Sequence, residues 1–508
     1  MLSSLTLASA FLALCIACVA ANIARQLLFP NKKEPPVVFH WLPWLGSAVS
    51  YGRDPYKFLF AARAKHGDVF TFVLLGRNVT VHLGIAGNDF VFNGKETHVN
   101  AEEIYGPLCT PVFGEDVVYD CPNAKLMEQK KFVKFGLTTE ALKVHVRLIE
   151  HEVVDYIKVS REFKGPSGIV NVPPVIAQIT IFTAASALQG PEVRSKLTNE
   201  FASLYHDLDG GFSPINFVLP HAPFPHNIKR DRAQLTMRKI YEGIIADRRA
   251  GKLPPTTDMI SHLMQCSYKD GRPVPDKEIS NMMITILMAG QHNSSNVASW
   301  IMLHLANEPR ICEELYQEQL DQLADENGNL PELELRDMEK LQLHSSVVKE
   351  TLRMHNAIHS IMRLVKRPLP VPGTPWTVPP GHAVLASPGI SANSEEYFPN
   401  PTKWDPHRWD NRGIEEDDES EMVDYGYGRM SRGTKSAYLP FGGGRHRCIG
   451  EKFAYLNLEV ITAVMVRNFR FKNIDGREGV PGTDYSTMFS RPLEPAEICW
   501  ERRSAEGA

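Results

Sequence analysis

The chain has 508 residues, 43% of them hydrophobic and 22% charged, which is ordinary globular usage and excludes a disordered or fibrous protein. With 55 Lys and Arg against 59 Asp and Glu, the formal charge is −4, so there is no general nucleic-acid footprint. Eight cysteines are too few for a disulfide scaffold in so long a chain, and cysteine is expected here as a core residue or as a ligand.

From Leu2 to Ala24 no residue is charged. As a helix, such a run is long enough to cross about 30 Å of hydrocarbon. Residues 1–28 therefore read as a membrane anchor. Arg25, Lys32 and Lys33 follow it and place the body on the cytosolic side. A cleaved signal peptide would need a basic start and a shorter apolar core, and both are missing. Cys15 and Cys18 read as two small apolar side chains within the run. Asn78-Val79-Thr80 is a glycosylation acceptor, and a glycan there would contradict the cytosolic orientation. Residues 29–50 are rich in Pro and Trp and read as a linker near the membrane interface. Without a Gly/Ser linker or internal repeat beyond it, residues 51–508 read as one large domain.

Helical patterns dominate that body. Strand signals are local, at 68–84 around a Gly-Arg-Asn turn and at 369–388. Helices are predicted near 125–162, 192–206, 228–250 and 257–266. A long one runs from Asp276 to Asn307 and stops before Pro309, and others lie near 308–325, 331–355 and 451–468. The stretch 411–435, with its acidic run at 415–419, reads as an exposed loop.

Four segments carry chemistry. The first, Tyr105 to Asp120, is an apolar run punctuated by Pro and Gly, and its tyrosines offer flat apolar area with a polar tip. The second lies in the long helix, Ala289-Gly290-Gln291-His292-Asn293-Ser294, where a mid-helix glycine costs about 1 kcal/mol relative to alanine. That cost points to a ligand that needs the space. The third is Glu350-Thr-Leu-Arg353, an acid–base pair on one helix face, followed by Trp404-Asp-Pro406-His-Arg408-Trp409. The fourth is Phe441-Gly-Gly-Gly-Arg445-His446-Arg447-Cys448-Ile-Gly450. Here a cysteine stands at a helix N-terminus beside two arginines, which predicts a lowered pKa and a thiolate able to bind a metal.

The fourth segment matches F-x-x-G-x-(Arg or His)-x-Cys-x-Gly, the haem-binding loop of the cytochrome P-450 monooxygenases. Chance gives such a match in about one chain in ten thousand. The Tyr105–Asp120 run resembles the motif of one branch, the sterol 14α-demethylases, at every position, and Gly290-Gln291-His292 resembles that branch's central-helix signature. The resemblance runs from about residue 30 to the C-terminus and is nearest to the filamentous-fungal type.

It implies a mainly α fold with small β-sheets, the haem-thiolate fold, preceded by one transmembrane helix. Haem b would be held by Cys448, whose anionic sulfur favours O–O cleavage. Tyr105, Tyr119, Lys130, Arg363 and His446 would meet the haem propionates, and Glu350, Arg353 and Arg408 would form a structural charge network. Tyr105, Leu108, Phe113, Val118, Tyr119, Phe212, Met288, Ala289, Ile358, Ser360 and Met488 would contact a sterol. Leu287, Phe217, Ile361 and Phe489 belong to the same apolar segments.

His292 and Asn293 stand where the wider family keeps an acid and a threonine. Asparagine cannot relay a proton as a hydroxyl does, so His292, Ser294 or an ordered water takes that role. The implied reaction removes the 14α-methyl group of lanosterol or its 24-methylene relative in three oxidations, with electrons from NADPH through a flavoprotein reductase. Arg432, Lys435, Arg445, Arg447 and Lys452 are candidates for the docking face. Azole inhibitors would ligate the iron, and the endoplasmic reticulum membrane is the implied location. Two rivals are a haem-thiolate isomerase or dehydratase, favoured only by Asn293, and a non-catalytic haem or sterol binder.

Overall fold

The alternating run at 68–84 folds as a hairpin, Val69–Leu74 against Arg77–His82. Its turn needs positive φ, +50° at Leu75 and +80° at Gly76. A Cβ on Gly76 would also lie 2.8 Å from the Trp44 indole, so glycine answers both a conformational and a packing demand. The computed structural model describes residues 2–197, 199–254, 256, 258–410, 422–427, 429–431 and 433–503. The acidic run at 415–419 and Arg432 lie outside the described residues.

Two compact units make up the chain, each from three segments. The first comprises Met1–Ile104, Ile358–Pro399 and Arg432–His446; the second comprises Tyr105–Ala357, Asn400–Ser431 and Arg447–Ala508.

In the first unit, helix α1 (Leu2–Leu28) contains a 20-residue stretch, Ser9–Leu28, long and apolar enough to cross a membrane and with none of it buried. Asn22 donates from its amide to the carbonyls of His40 and Trp41, each at 3.0 Å. The Pro/Trp-rich segment runs on along the first hairpin strand, where Val38 N–H meets Thr71 O and Ser47 N–H meets Val73 O, both at 2.7 Å. The sheet continues from Arg77–His82 to a parallel neighbour, Ala383–Ala386, and then to antiparallel Ile361–Val365 and Val99–Asn100. The strand at 361–365 has no clear alternation in the sequence, because Arg363 is buried along with its neighbour Val365.

The second unit is helical. Its elements near the candidate site are α2 (Glu102–Phe113, whose first turn belongs to the first unit), α3 (Asn123–Val133), α4 (Val172–Ala184), α5 (Asn199–Asp209), α6 (Pro225–Arg249), α7 (Asp276–Asn307), α8 (Gln342–Met354) and α9 (Glu451–Asn468). α7 and α9 have the predicted bounds. The predicted 192–206 helix is two pieces, Pro191–Ser195 and α5. α7 packs against α4, α6, α8 and α9, so most of its length is buried. The apolar stretch Val172–Gln189 would also be long enough to span a membrane, but 61% of it is buried within the protein, which marks a core helix.

A three-stranded sheet closes the far side of this unit, with Glu497–Arg502 between Phe469–Asn473 and Ser167–Asn171. Phe163, Phe469 and Trp500 pack there with ring centroids 4.8–5.6 Å apart, and all three are essentially inaccessible. Trp500→Ala is expected to cost about 3–5 kcal/mol, read as a lower thermal midpoint.

Candidate active site

Between residues 280 and 300, α7 is accessible only at Thr285, Ile286, Ala289, Gly290, His292, Asn293 and Asn296. Those positions recur every three to four residues and form one stripe down the helix. Met288, Gln291 and Ser294 are buried on its packed sides. Ser294 is thus placed away from the stripe, whereas Asn293 lies on it. Three polar atoms of the stripe, His292 Nε2, Asn293 Oδ1 and Asn296 Nδ2, are buried with no hydrogen-bond partner among the described residues. Such orphans are rare, and each calls for an explanation.

Asp209, at the end of α5, brings Oδ1 to 3.2 Å from His292 Nδ1. Burial lowers the His292 pKa, with Asp209 opposing that shift and Arg491 adding to it. The imidazole is therefore neutral near pH 7, and the carboxylate favours a proton on Nδ1, leaving Nε2 as the free lone pair. Asp209 carried no signal in the sequence, because its partner is 83 positions away, the difference between residues 292 and 209.

An aromatic wall leads to this histidine. Phe113 packs on Phe212 at 5.7 Å, Phe212 on Phe489 at 5.3 Å, and Phe489 on His292 at 4.2 Å between ring centroids. Met488 is half-buried next to Phe489. Tyr105 and Tyr119 lie 5.2 Å apart, and Phe217 flanks Tyr105 at 6.3 Å. Leu108 is wholly buried on α2, whereas Phe113 and Val118 remain partly accessible. Val118 holds φ +49°, an outlying conformation for a β-branched residue. Gly114, at φ +96°, docks the end of α2 on α7, and a Cβ there would fall 2.4 Å from the Asn281 side chain.

Gly290 lies on the accessible stripe. A Cβ there would meet Leu188 Cδ1 at 3.2 Å and Ala184 Cβ at 3.8 Å. The first is a tight contact with the tip of a flexible side chain and the second an ordinary one, so α7 runs close to the end of α4 and the turn after it at this glycine.

Cys448 also departs from expectation. Its residue is accessible, yet the thiol is set among protein atoms, and burial pushes its pKa up. The Gly450 N–H, Lys130 and Arg447 pull it down, and Glu451 pushes with the burial. Both neighbouring arginines are also paired with carboxylates. Arg447 donates to Glu451 at 2.9 Å, and Arg445, in the first unit, donates to Glu96 at 2.8 Å. Lys130 donates to the Arg447 carbonyl at 3.2 Å. A thiol that burial keeps protonated while donors favour its anion fits a bound metal cation, which deprotonates a coordinating thiol outright.

The cytochrome P450 family profile matches residues 35–500. The chain belongs to the cytochrome P450 family. It is 88% identical over 501 residues to the sterol 14-alpha demethylase of Pyrenophora dematioidea, covering 99% of this chain and 93% of that protein. It is 61% identical to a sterol 14-alpha demethylase of Aspergillus fumigatus, with 96% of each chain covered. To the eburicol 14-alpha-demethylase of Penicillium italicum it is 58% identical, over 96% of this chain and 95% of that one. Among solved structures, the retinoic acid-bound cyanobacterial CYP120A1 superposes with a TM-score of 0.76 at 20% identity, covering 93% of this chain and all of that one. That likeness is one of fold. Members of the family hold haem through a cysteine thiolate and take electrons from a redox partner.

The family's acid–base pair lies at the centre of a buried network. Glu350 and Arg353 are both inaccessible. The Glu350 carboxylate accepts from Arg353 Nε and Nη2 at 2.9 Å, from the Asp405 and Trp409 N–H groups at 3.1 Å, and from Arg408 Nε at 3.3 Å. Arg353 also donates to the Pro401 carbonyl at 2.8 Å, so the network fastens segment 400–409 to α8. Trp409 and Asp405 N–H are members that sequence reasoning did not name. Behind it, His304 and His355 meet Nε2 to Nε2 at 2.8 Å. Burial drives His304 down to about 3, so the pair is neutral.

The remaining candidates lie in the first unit. Arg363 is buried and donates to the Met362 carbonyl at 2.8 Å; Ser360, also buried, lies 3.0 Å from His359 Nδ1. Ile358 and His446 are partly accessible. Glu350→Ala strands a buried guanidinium and is expected to cost about 3–5 kcal/mol, measured as loss of cooperative thermal unfolding or a strongly reduced midpoint.

Proposed function

We propose that the protein is a membrane-anchored sterol 14α-demethylase, taking a lanosterol- or eburicol-type sterol through alcohol and aldehyde to formate and a 14,15-unsaturated product. The observation that carries this reading is the accessible stripe of α7, where an aromatic wall ends on a histidine with an unpartnered nitrogen. The relatives described above, over nearly their whole length, carry the same activity in their names.

Haem b, bound through Cys448, supplies dioxygen reduction and carbon–hydrogen oxidation. Lys130, Tyr105, Tyr119, Arg363 and His446 are assigned to its propionates. The chain's own work is to bind, orient and move protons. The rings of Phe113, Phe212 and Phe489, with Val118, Met488, Ala289, Leu108, Ile358 and Ser360, are assigned to the sterol, whose rigid apolar body needs area more than polar contacts, whereas Met288 stands on the packed side of α7. His292 takes a proton on Nε2 and releases it from there, while Asp209 beside Nδ1 stabilises the imidazolium between the two events. Asn293 orients by hydrogen bonding and carries no proton itself. That division of labour leaves an isomerase reading without support, since rearrangement needs no proton relay to oxygen.

We assign the electrons to NADPH through a flavoprotein reductase, and the pocket to azole inhibitors as well as sterol. Ser9–Leu28 is taken as a single-pass anchor in the endoplasmic reticulum membrane, with residues 51–508 as the cytosolic catalytic portion. Removing residues 1–28 is expected to release the protein from sedimenting membranes.

A reduced carbon-monoxide difference spectrum with sterol titration tests ligation and substrate class together. Cys448→Ala is expected to lose the thiolate band. Asn293→Thr is expected to keep or raise turnover, and a tenfold loss there would overturn the role given to that position.

A further inference from the structure

Gln291, one residue before His292, is buried, and both ends of its amide are used. Its Oε1 accepts from the Tyr205 hydroxyl of α5. Its Nε2 donates to the Ala177 carbonyl of α4 at 3.2 Å and lies 3.5 Å from Thr180 Oγ1. Asp209 follows Tyr205 by four residues, one turn along the same face of α5, and reaches His292 Nδ1 at 3.2 Å. Two adjacent residues of α7 thus grip two residues one turn apart on α5.

The two contacts differ in kind. Tyr205 and Gln291 are both buried, whereas Asp209 and His292 keep 21% and 15% of their side-chain surface. A pair near accessible space tolerates a shift, because water can replace a lost partner. A buried phenol and amide cannot, since each stranded group costs about 1–3 kcal/mol. Sliding α5 by one residue moves it about 1.5 Å and turns its face by about 100°, which would break both. Burial, with Asp209 adding to it, pushes the Tyr205 phenol well above its ordinary range, so it stays a donor.

We propose that the Tyr205–Gln291 hydrogen bond is the positioning device for the proton carrier: it holds α5 in the register that keeps Asp209 beside His292. Neither residue is assigned to cofactor or sterol. Both act through the Asp209–His292 pair. The inference rests on the reading of His292 as a proton carrier, and the test separates the two.

Tyr205→Phe removes one oxygen and keeps the ring. The holoenzyme should retain its thiolate carbon-monoxide band and its sterol-induced spectral shift. Product formed per NADPH consumed should fall about five- to tenfold, the equivalent of one buried hydrogen bond, with peroxide released instead. A crystal structure of the variant should show Asp209 drawn away from Nδ1. Gln291→Met, of similar volume, asks the same question from the other side if the phenylalanine variant does not load haem. Asp209→Asn should uncouple as well, and the Tyr205→Phe/Asp209→Asn double variant should be no worse than Asp209→Asn alone, since the two act in series. Multiplicative losses in the double variant overturn the proposal. So does an Asp209→Asn enzyme that uncouples while Tyr205→Phe keeps both its coupling and its Asp209 geometry. Full coupling in Asp209→Asn instead overturns the proton-carrier reading, and the positioning role with it.

Discussion

A 32-residue helix enclosed on most sides leaves little water for its polar groups, and α7 treats those groups in three ways. Ser280, Thr285 and Ser299 return their hydroxyls to backbone carbonyls one turn earlier, at 2.8–2.9 Å. Asn281 and Gln291 reach neighbouring elements, donating to the Glu115 and Ala177 carbonyls. His292 Nε2, Asn293 Oδ1 and Asn296 Nδ2 have no partner among the described residues and lie on the accessible stripe, and Trp300 Nε1 is a further such atom along the helix. The first two classes hold the helix in place. The third is where the helix is left able to do chemistry, and an unmet polar group in a nearly apolar wall is costly unless something else pairs with it.

Glu350 and Cys448 show how differently the same fold treats two acidic groups. The Glu350 carboxylate is saturated by N–H donors from four residues, so its charge is stabilised by the protein alone and its role is to hold segment 400–409 against α8. Cys448 is the opposite case. Gly450 N–H, Lys130 and Arg447 favour its anion, but burial outweighs them. Left to itself the sulfur keeps its proton. A metal cation bound at the sulfur would complete the thiolate where the surrounding side chains do not.

The order of motifs along the chain was enough to place Cys448 just before α9, to pick out the buried acid–base pair and to set the bounds of α7 and α9. Each of these is local: a glycine-rich turn before a helix, an i, i+3 pair, or a continuous periodic run with a proline beyond its end. The Asp209–His292 contact, the Tyr205–Gln291 bond and the Trp409 donor were not legible. Each joins residues tens of positions apart, and Asp209 and Tyr205 carry no signal of their own in the sequence.

Gly290 and Cys448 mark the same boundary from the other side. A glycine in mid-helix shows that something can come close, and only the tertiary structure shows that the Leu188 and Ala184 side chains lie beside it. A cysteine beside arginines shows that positive charge is near in sequence, and only the pairing of those arginines with Glu96 and Glu451 says where the charge goes. Residue type and spacing by themselves determined which groups the protein possesses and on which elements they stand. Tertiary structure alone decided which were desolvated, which were paired and which were left free, because burial and long-range pairing depend on neighbours that periodicity does not encode.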